Sequence, residues 1–188
     1  MLRPALFSIA RRASAAPATN ALLFHPTSSR LFSHSLTARA DVFVEEDTGK
    51  SFVNKVTVGD KHSFLTDEPI GFGEGALVGS DKGPSPYDML LASLGTCTNM
   101  TLRLYAQKKG YPLEKVSIKL SHKKIYAKDC DTCEKTKTGK LDRIDREIVL
   151  NGKDLTEAQR QDLMRIADLC PIHKTLHSES MIVTKLIS

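Results

Sequence analysis

The chain has 188 residues and a formal net charge of +5, from 27 Lys and Arg against 22 Asp and Glu. Arg3, Arg11, Arg12, Arg30 and Arg39 lie in the first 40 residues, which hold no acidic side chain; without those 5, the remainder balances at 22 basic and 22 acidic residues. A neutral remainder argues against nucleic-acid or anionic-membrane binding, and the longest apolar run, interrupted by Asp88, Asn99 and Arg103, is not a membrane span.

Residues 1–40, rich in Arg, Ser and Ala, have the composition of a mitochondrial transit peptide. The run Arg30-Leu31-Phe32-Ser33-His34-Ser35 resembles a two-step matrix processing site with a final cut near Arg39 or Ala40. The expectation is therefore a matrix protein formed by residues 41–188, about 150 residues around one core. In a reducing matrix its 4 cysteines are expected to be free, metal-bound or redox-active.

Three short β-like runs open this part, at residues 42–44, 52–58 and 62–65, separated by Asp-Thr-Gly and Gly-Asp turn signals. A Gly-rich loop over residues 68–83 delivers the chain to a long helix, and His62 and Asp67-Glu68-Pro69, near that loop, are expected to have turn roles. Ser85 as N-cap, Pro86 at the first helical position and Asp88 at the third start that helix, and Gly110 ends it. Leu90, Leu94, Cys97, Thr101 and Leu104 share one face, and much of the rest is also apolar, so the helix is expected to be buried. Ala92, Ser93, Gly95 and Thr96 are small enough for close approach of a neighbouring helix, including one from a second subunit.

Val116, Ile118 and Leu120 alternate with polar residues, as do Ile144, Ile148 and Leu150 apart from Arg146. They predict a long hairpin with a charged tip insertion at residues 128–140. The capping pattern from Thr156 to Gln159 opens a second helix that puts Leu163, Ile166, Ala167 and Cys170 on its core face before Pro171 stops it. A last strand is expected over residues 181–187.

Two thiols in unlike settings carry the chemistry: Cys97 inside an apolar helical run, and Cys170 at a helix end. A thiol in a dry helical site is either a packed core cysteine or a tuned redox nucleophile. Cys130 and Cys133 form a lone C-x-x-C, which fits an inert hairpin tip, a redox dithiol or half of a metal site.

The segments Gly83-Pro84-Ser85-Pro86-Tyr87-Asp88 through Leu94-Gly95-Thr96-Cys97-Thr98, and Ala167-Asp168-Leu169-Cys170-Pro171-Ile172-His173-Lys174, resemble the OsmC/Ohr superfamily of osmotically inducible and organic hydroperoxide resistance proteins, in its Gly-Pro-Ser-Pro branch. The resemblance implies an α+β fold with antiparallel sheets around a long buried central helix plus a second helix, in an intertwined homodimer with active sites at the interface. It also implies that Cys97 is the peroxidatic cysteine and Cys170 the resolving one, that no cofactor is bound, and that an external lipoyl-type dithiol restores the enzyme. Better-characterised members use an arginine from the N-terminal strands and a carboxylate at the start of the buried helix. Here residues 40–102 contain no arginine and Tyr87 stands at the usual glutamate position. The candidate substitutes are Lys55, Arg103 and His173 for the cation, and Glu74 or Asp88 for the carboxylate. The rival expectation is a non-catalytic ligand-binding or redox- or metal-sensing module on the same fold.

Overall fold

A computed structural model describes residues 41–47, 51–75, 77–130 and 139–187. Three strands, β1 (Val42–Glu46), β2 (Asn54–Val58) and β3 (His62–Thr66), form an antiparallel meander with Val44 opposite Val56 and Val56 opposite Phe64. β-Branched and aromatic residues favour this pleated surface, and Gly59, at φ 54, supplies the left-handed residue that turns β2 into β3. Val56 is buried, whereas all of β1 is exposed.

The following loop carries a small ribbon, β4 (Gly73–Glu74) with β5 (Leu77–Val78). One buried carboxylate closes it. Asp67 accepts from the backbone N–H of Glu68 (2.8 Å), Ser80 (3.0 Å) and Lys82 (3.1 Å), and from the Ser80 hydroxyl (2.6 Å). Four donors on one carboxylate favour its charged form, and the Ser80 hydroxyl above all lowers its pKa to about 2. The loop is thus folded back on its own start, and it hands the chain to α1 in a fixed direction.

Helix α1 (Pro86–Lys109) begins with the expected capping box: the Ser85 hydroxyl accepts from the Asp88 N–H, and the Asp88 carboxylate accepts from the Ser85 N–H. It ends at Gly110, whose φ of 66 is a left-handed cap. β6 (Lys115–Tyr126) and β7 (Lys140–Asn151) make a long antiparallel hairpin in register from Lys115↔Asn151 to Tyr126↔Lys140, with a 3-10 turn at Ala127–Asp129. The rest of the expected tip insertion, residues 131–138, lies outside the described residues. Helix α2 (Glu157–Ala167) starts with the Thr156–Gln159 capping box, and α3 (Pro171–His177) follows.

The core is built where α1 lies across the hairpin and α2. Leu102, Ala106, Leu113, Val116, Leu150, Leu155, Leu163 and Ala167 form one buried cluster. A polar tie flanks it, with the Tyr105 and Tyr111 hydroxyls donating to Asp162 at 2.8 and 2.9 Å.

Three expectations are corrected. The buried stripe of α1 is Leu94, Thr98, Leu102 and Ala106, and Leu104, expected inside, is 53% exposed. In a helix apolar nearly all round, the 3.6-residue period does not single out a face. Pro171 does not stop α2, which ends at Ala167; it occupies the first position of α3, where its missing N–H costs nothing. Residues 181–187 form no strand in the single chain, and their apolar side chains, such as Leu186 at 98%, lie exposed. A strand needs a neighbour to receive its backbone bonds. At Gly95 the lack of a side chain lets α1 approach its own hairpin: a Cβ there would stand 2.9 Å from Leu120 Cδ1.

Candidate active site

Cys97 and Thr98 are successive residues of α1, on the flank that meets the start of α3. Cys170 is the N-cap of α3. Its extended backbone (φ −63, ψ 142) turns its sulfur back over the first helical turn, where Sγ accepts from the His173 N–H at 3.2 Å. The residue is fully buried, and Cys97 is partly buried.

The two thiols adjoin closely enough for Cys170 to affect the ionisation of Cys97, so the fold joins residues 73 positions apart in sequence (170 less 97). Burial pushes the Cys97 thiol up from its ordinary 9.0, the Ile172 backbone N–H opposes this by donating to it, and the adjoining Cys170 thiol adds to the rise. At neutral pH Cys97 therefore rests as a thiol. Cys170 Sγ accepts from the His173 N–H at the beginning of α3, and the preceding N–H, of Ile172, is the group that favours the charged form of Cys97.

A cation stands behind the pair. Arg146, on β7, has a side chain only 13% exposed; its Nη1 donates to Thr98 Oγ1 (3.0 Å) and the Ala167 carbonyl (3.2 Å), and its Nη2 to Asp168 (2.6 Å). Thr98, itself fully buried, donates onward to Cys170 Sγ at 3.5 Å. Sequence reading passed over this residue, although its signal was present: Arg146 is the one break in the apolar alternation Ile144, Ile148, Leu150. A guanidinium at an inward position needs partners to offset its desolvation, and here they adjoin the thiols.

The five candidate activating side chains lie elsewhere or act otherwise. Lys55 is exposed on β2 and Glu74 exposed on β4. Asp88 is occupied by the α1 capping box. Arg103 donates to the carbonyls of Leu113 and Glu114, joining α1 to the start of the hairpin. His173 reaches Cys170 through its backbone, while burial and then Arg146 lower the pKa of its ring, which keeps it neutral at pH 7. An open cleft of about 370 Å³, lined by Asp168, His173, Lys174, His177 and Ser178, lies against this end of the site. Cys130 is disulfide-bonded, and Cys133 lies outside the described residues. Among the described residues no group of three or more His, Cys, Asp or Glu side chains is placed to hold a metal, and no helix is long and apolar enough to cross a membrane.

An antiparallel α+β scaffold with two contacting thiols against its long helix defines the class. Residues 79–185 match the family described as OsmC-like protein, and the chain belongs to that family. No curated protein matches the chain significantly. Among solved structures, an OsmC-like protein from Mycoplasma pneumoniae is similar with a TM-score of 0.54 at 16% identity, over 76% of this chain and 89% of that one. An organic hydroperoxide resistance protein OsmC from Legionella pneumophila gives 0.51 at 20% identity, over 74% and 90%. An OsmC-like protein of unknown function from Vibrio cholerae gives 0.54 at 14% identity, over 76% and 96%. These likenesses establish a shared fold.

Proposed function

We propose that the protein is a thiol peroxidase that reduces organic hydroperoxides, with Cys97 as the attacking and Cys170 as the resolving cysteine. The observation that carries this reading is that the fold brings the two thiols side by side at the start of α3. Cys97, the less buried, attacks the hydroperoxide: a sulfur–oxygen bond forms, the O–O bond breaks, and an alcohol leaves with a proton. Cys170 then displaces hydroxide from the Cys97 sulfenic acid, giving a disulfide and water. An external lipoyl-type dithiol returns both thiols by exchange.

The same reading takes the working unit to be a homodimer in the mitochondrial matrix. Its support is the apolar surface that the single chain leaves open: Val42, Phe43 and Val44 of β1, Met100 and Leu104 of α1, and the tail at residues 181–187. The leader composition of residues 1–40 supports the compartment. One observation favours a second reading. Cys170 is fully buried, and Cys97 is partly buried and held protonated, as in a binding module whose cysteines merely pack.

Loss of cumene hydroperoxide with dihydrolipoamide separates the two readings. Turnover should vanish in Cys97→Ser, and Cys170→Ser should stop after one oxidation. A folded protein that turns over no hydroperoxide with any dithiol would establish the binding module instead.

A further inference from the structure

We propose that Arg146, acting through Thr98, orients and polarises the Cys170 thiol for the disulfide-forming step, which makes both of them positioning residues of resolution. This rests on the peroxidase reading above.

The direction of the hydrogen bonds carries the argument. Arg146 has only N–H donors, so at the 3.0 Å contact Thr98 Oγ1 accepts. The single hydroxyl proton of Thr98 is then free to point away from Arg146, and Cys170 Sγ lies in its path at 3.5 Å. The order is fixed as guanidinium, hydroxyl, sulfur. With the His173 N–H at 3.2 Å on the same atom, Cys170 Sγ gathers two donors, one of them backed by a positive charge. Such an arrangement favours a sulfur that carries negative charge as it attacks. The charge itself is held in place by Asp168 on Nη2 and by the Ala167 carbonyl, which shares Nη1 with Thr98. Thr98 follows Cys97 directly in α1, so the relay and the sulfenic acid it serves ride on one rigid turn of helix.

In the step concerned, the Cys170 thiol gives up its proton and its sulfur attacks the Cys97 sulfur. The S–S bond forms as the S–O bond of the sulfenic acid breaks, and the departing hydroxide takes a proton to become water. The oxidant is the organic hydroperoxide, already reduced to its alcohol when Cys97 was oxidised.

The test mixes reduced full-length protein with one equivalent of cumene hydroperoxide. Samples are quenched over time with dimedone, which traps sulfenic acid, and mass spectrometry follows the Cys97–Cys170 disulfide. Thr98→Val and Arg146→Met should each accumulate dimedone-labelled Cys97 and slow disulfide closure about tenfold or more, as expected for losing a charge-assisted bond. Thr98→Ser, which keeps the hydroxyl, should restore closure, and Thr98→Val combined with Arg146→Met should be no slower than the slower single variant. Should Arg146→Met fail to fold, the Thr98→Val and Thr98→Ser pair decides alone. Closure at the wild-type rate in folded Thr98→Val, or failure of Thr98→Ser to restore it, overturns the relay and leaves the peroxidase reading standing. Wild-type protein that never forms the disulfide overturns both.

Discussion

Truncating Leu102 tests the assignment of the α1 face. Its side chain is fully buried among Ala106, Leu113, Val116, Leu150, Leu155 and Leu163. Leu102→Ala removes three buried carbons at about 0.8 kcal/mol each. It also leaves a cavity whose walls, a continuous hairpin and two capped helices, relax little, so the whole cost should be about 3–4 kcal/mol. At about 2–4 °C per kcal/mol for a domain of this size, Tm should fall by roughly 10 °C. Leu104, two residues on and 53% exposed, should lose only about 1 kcal/mol on the same truncation. Urea unfolding followed by far-UV circular dichroism, run over a range of protein concentrations, measures both variants. A second copy covering α1 would add to the Leu104 cost only as concentration rises, so the low-concentration limit isolates the single chain. A Leu102→Ala cost below about 1 kcal/mol, or a Leu104→Ala cost that matches it in that limit, would refute the stripe.

Asp67 should titrate near 2 by carboxyl NMR. Its charged form is favoured by folding, so its contribution is complete above the ordinary 3.8 and drains away as pH falls toward 2; the stability gap to Asp67→Asn should close over that window. A gap that persists below about pH 2 would contradict the four-donor clasp. Gly83→Ala would bring a Cβ to 2.2 Å from the Leu65 carbonyl oxygen, so the loop must move; about 2 kcal/mol of destabilisation in urea unfolding is expected, and a neutral substitution would contradict the close approach. Burial raises the Cys97 thiol, so the rate of its first reaction with hydroperoxide, followed by stopped flow, should climb steadily from about pH 6 to about pH 9; a plateau already reached at about pH 6 would show a thiolate at rest and contradict the neutral pair.

Features written in a few adjacent residues were legible in the sequence. Ser85, Pro86 and Asp88 announced the start of α1, Gly110 its end, and Thr156 with Gln159 the start of α2, because a cap is chemistry between near neighbours. Alternation likewise announced the long hairpin. What depends on distant partners was not legible. Leu104 and Leu102 are equivalent to any periodicity count until the hairpin chooses a side. Pro171 stops one helix or starts another with the same ring, and only the Cys170 backbone decides. Residues 181–187 have the pattern of a strand, but a pattern does not supply the neighbour. Arg146 stood out as an exception to its strand, yet its meaning lies in Thr98, Ala167 and Asp168, which no spacing along β7 reveals. That Cys97 and Cys170 belong together came from the resemblance of two motifs; their contact is a product of the tertiary fold.

The sulfur of Cys170 does a second job, as the cap that begins α3. That helix has seven residues and none of them is fully buried, so its order leans on the bond from the His173 N–H to Sγ. Drawing that sulfur into a bridge with Cys97 would pull it toward α1 and weaken the cap. The last turn before the exposed apolar tail would then be looser in the oxidised protein than in the reduced one. The oxidation state of two atoms would be reported at the chain's end as a change in helical order, readable by amide hydrogen exchange over residues 171–178.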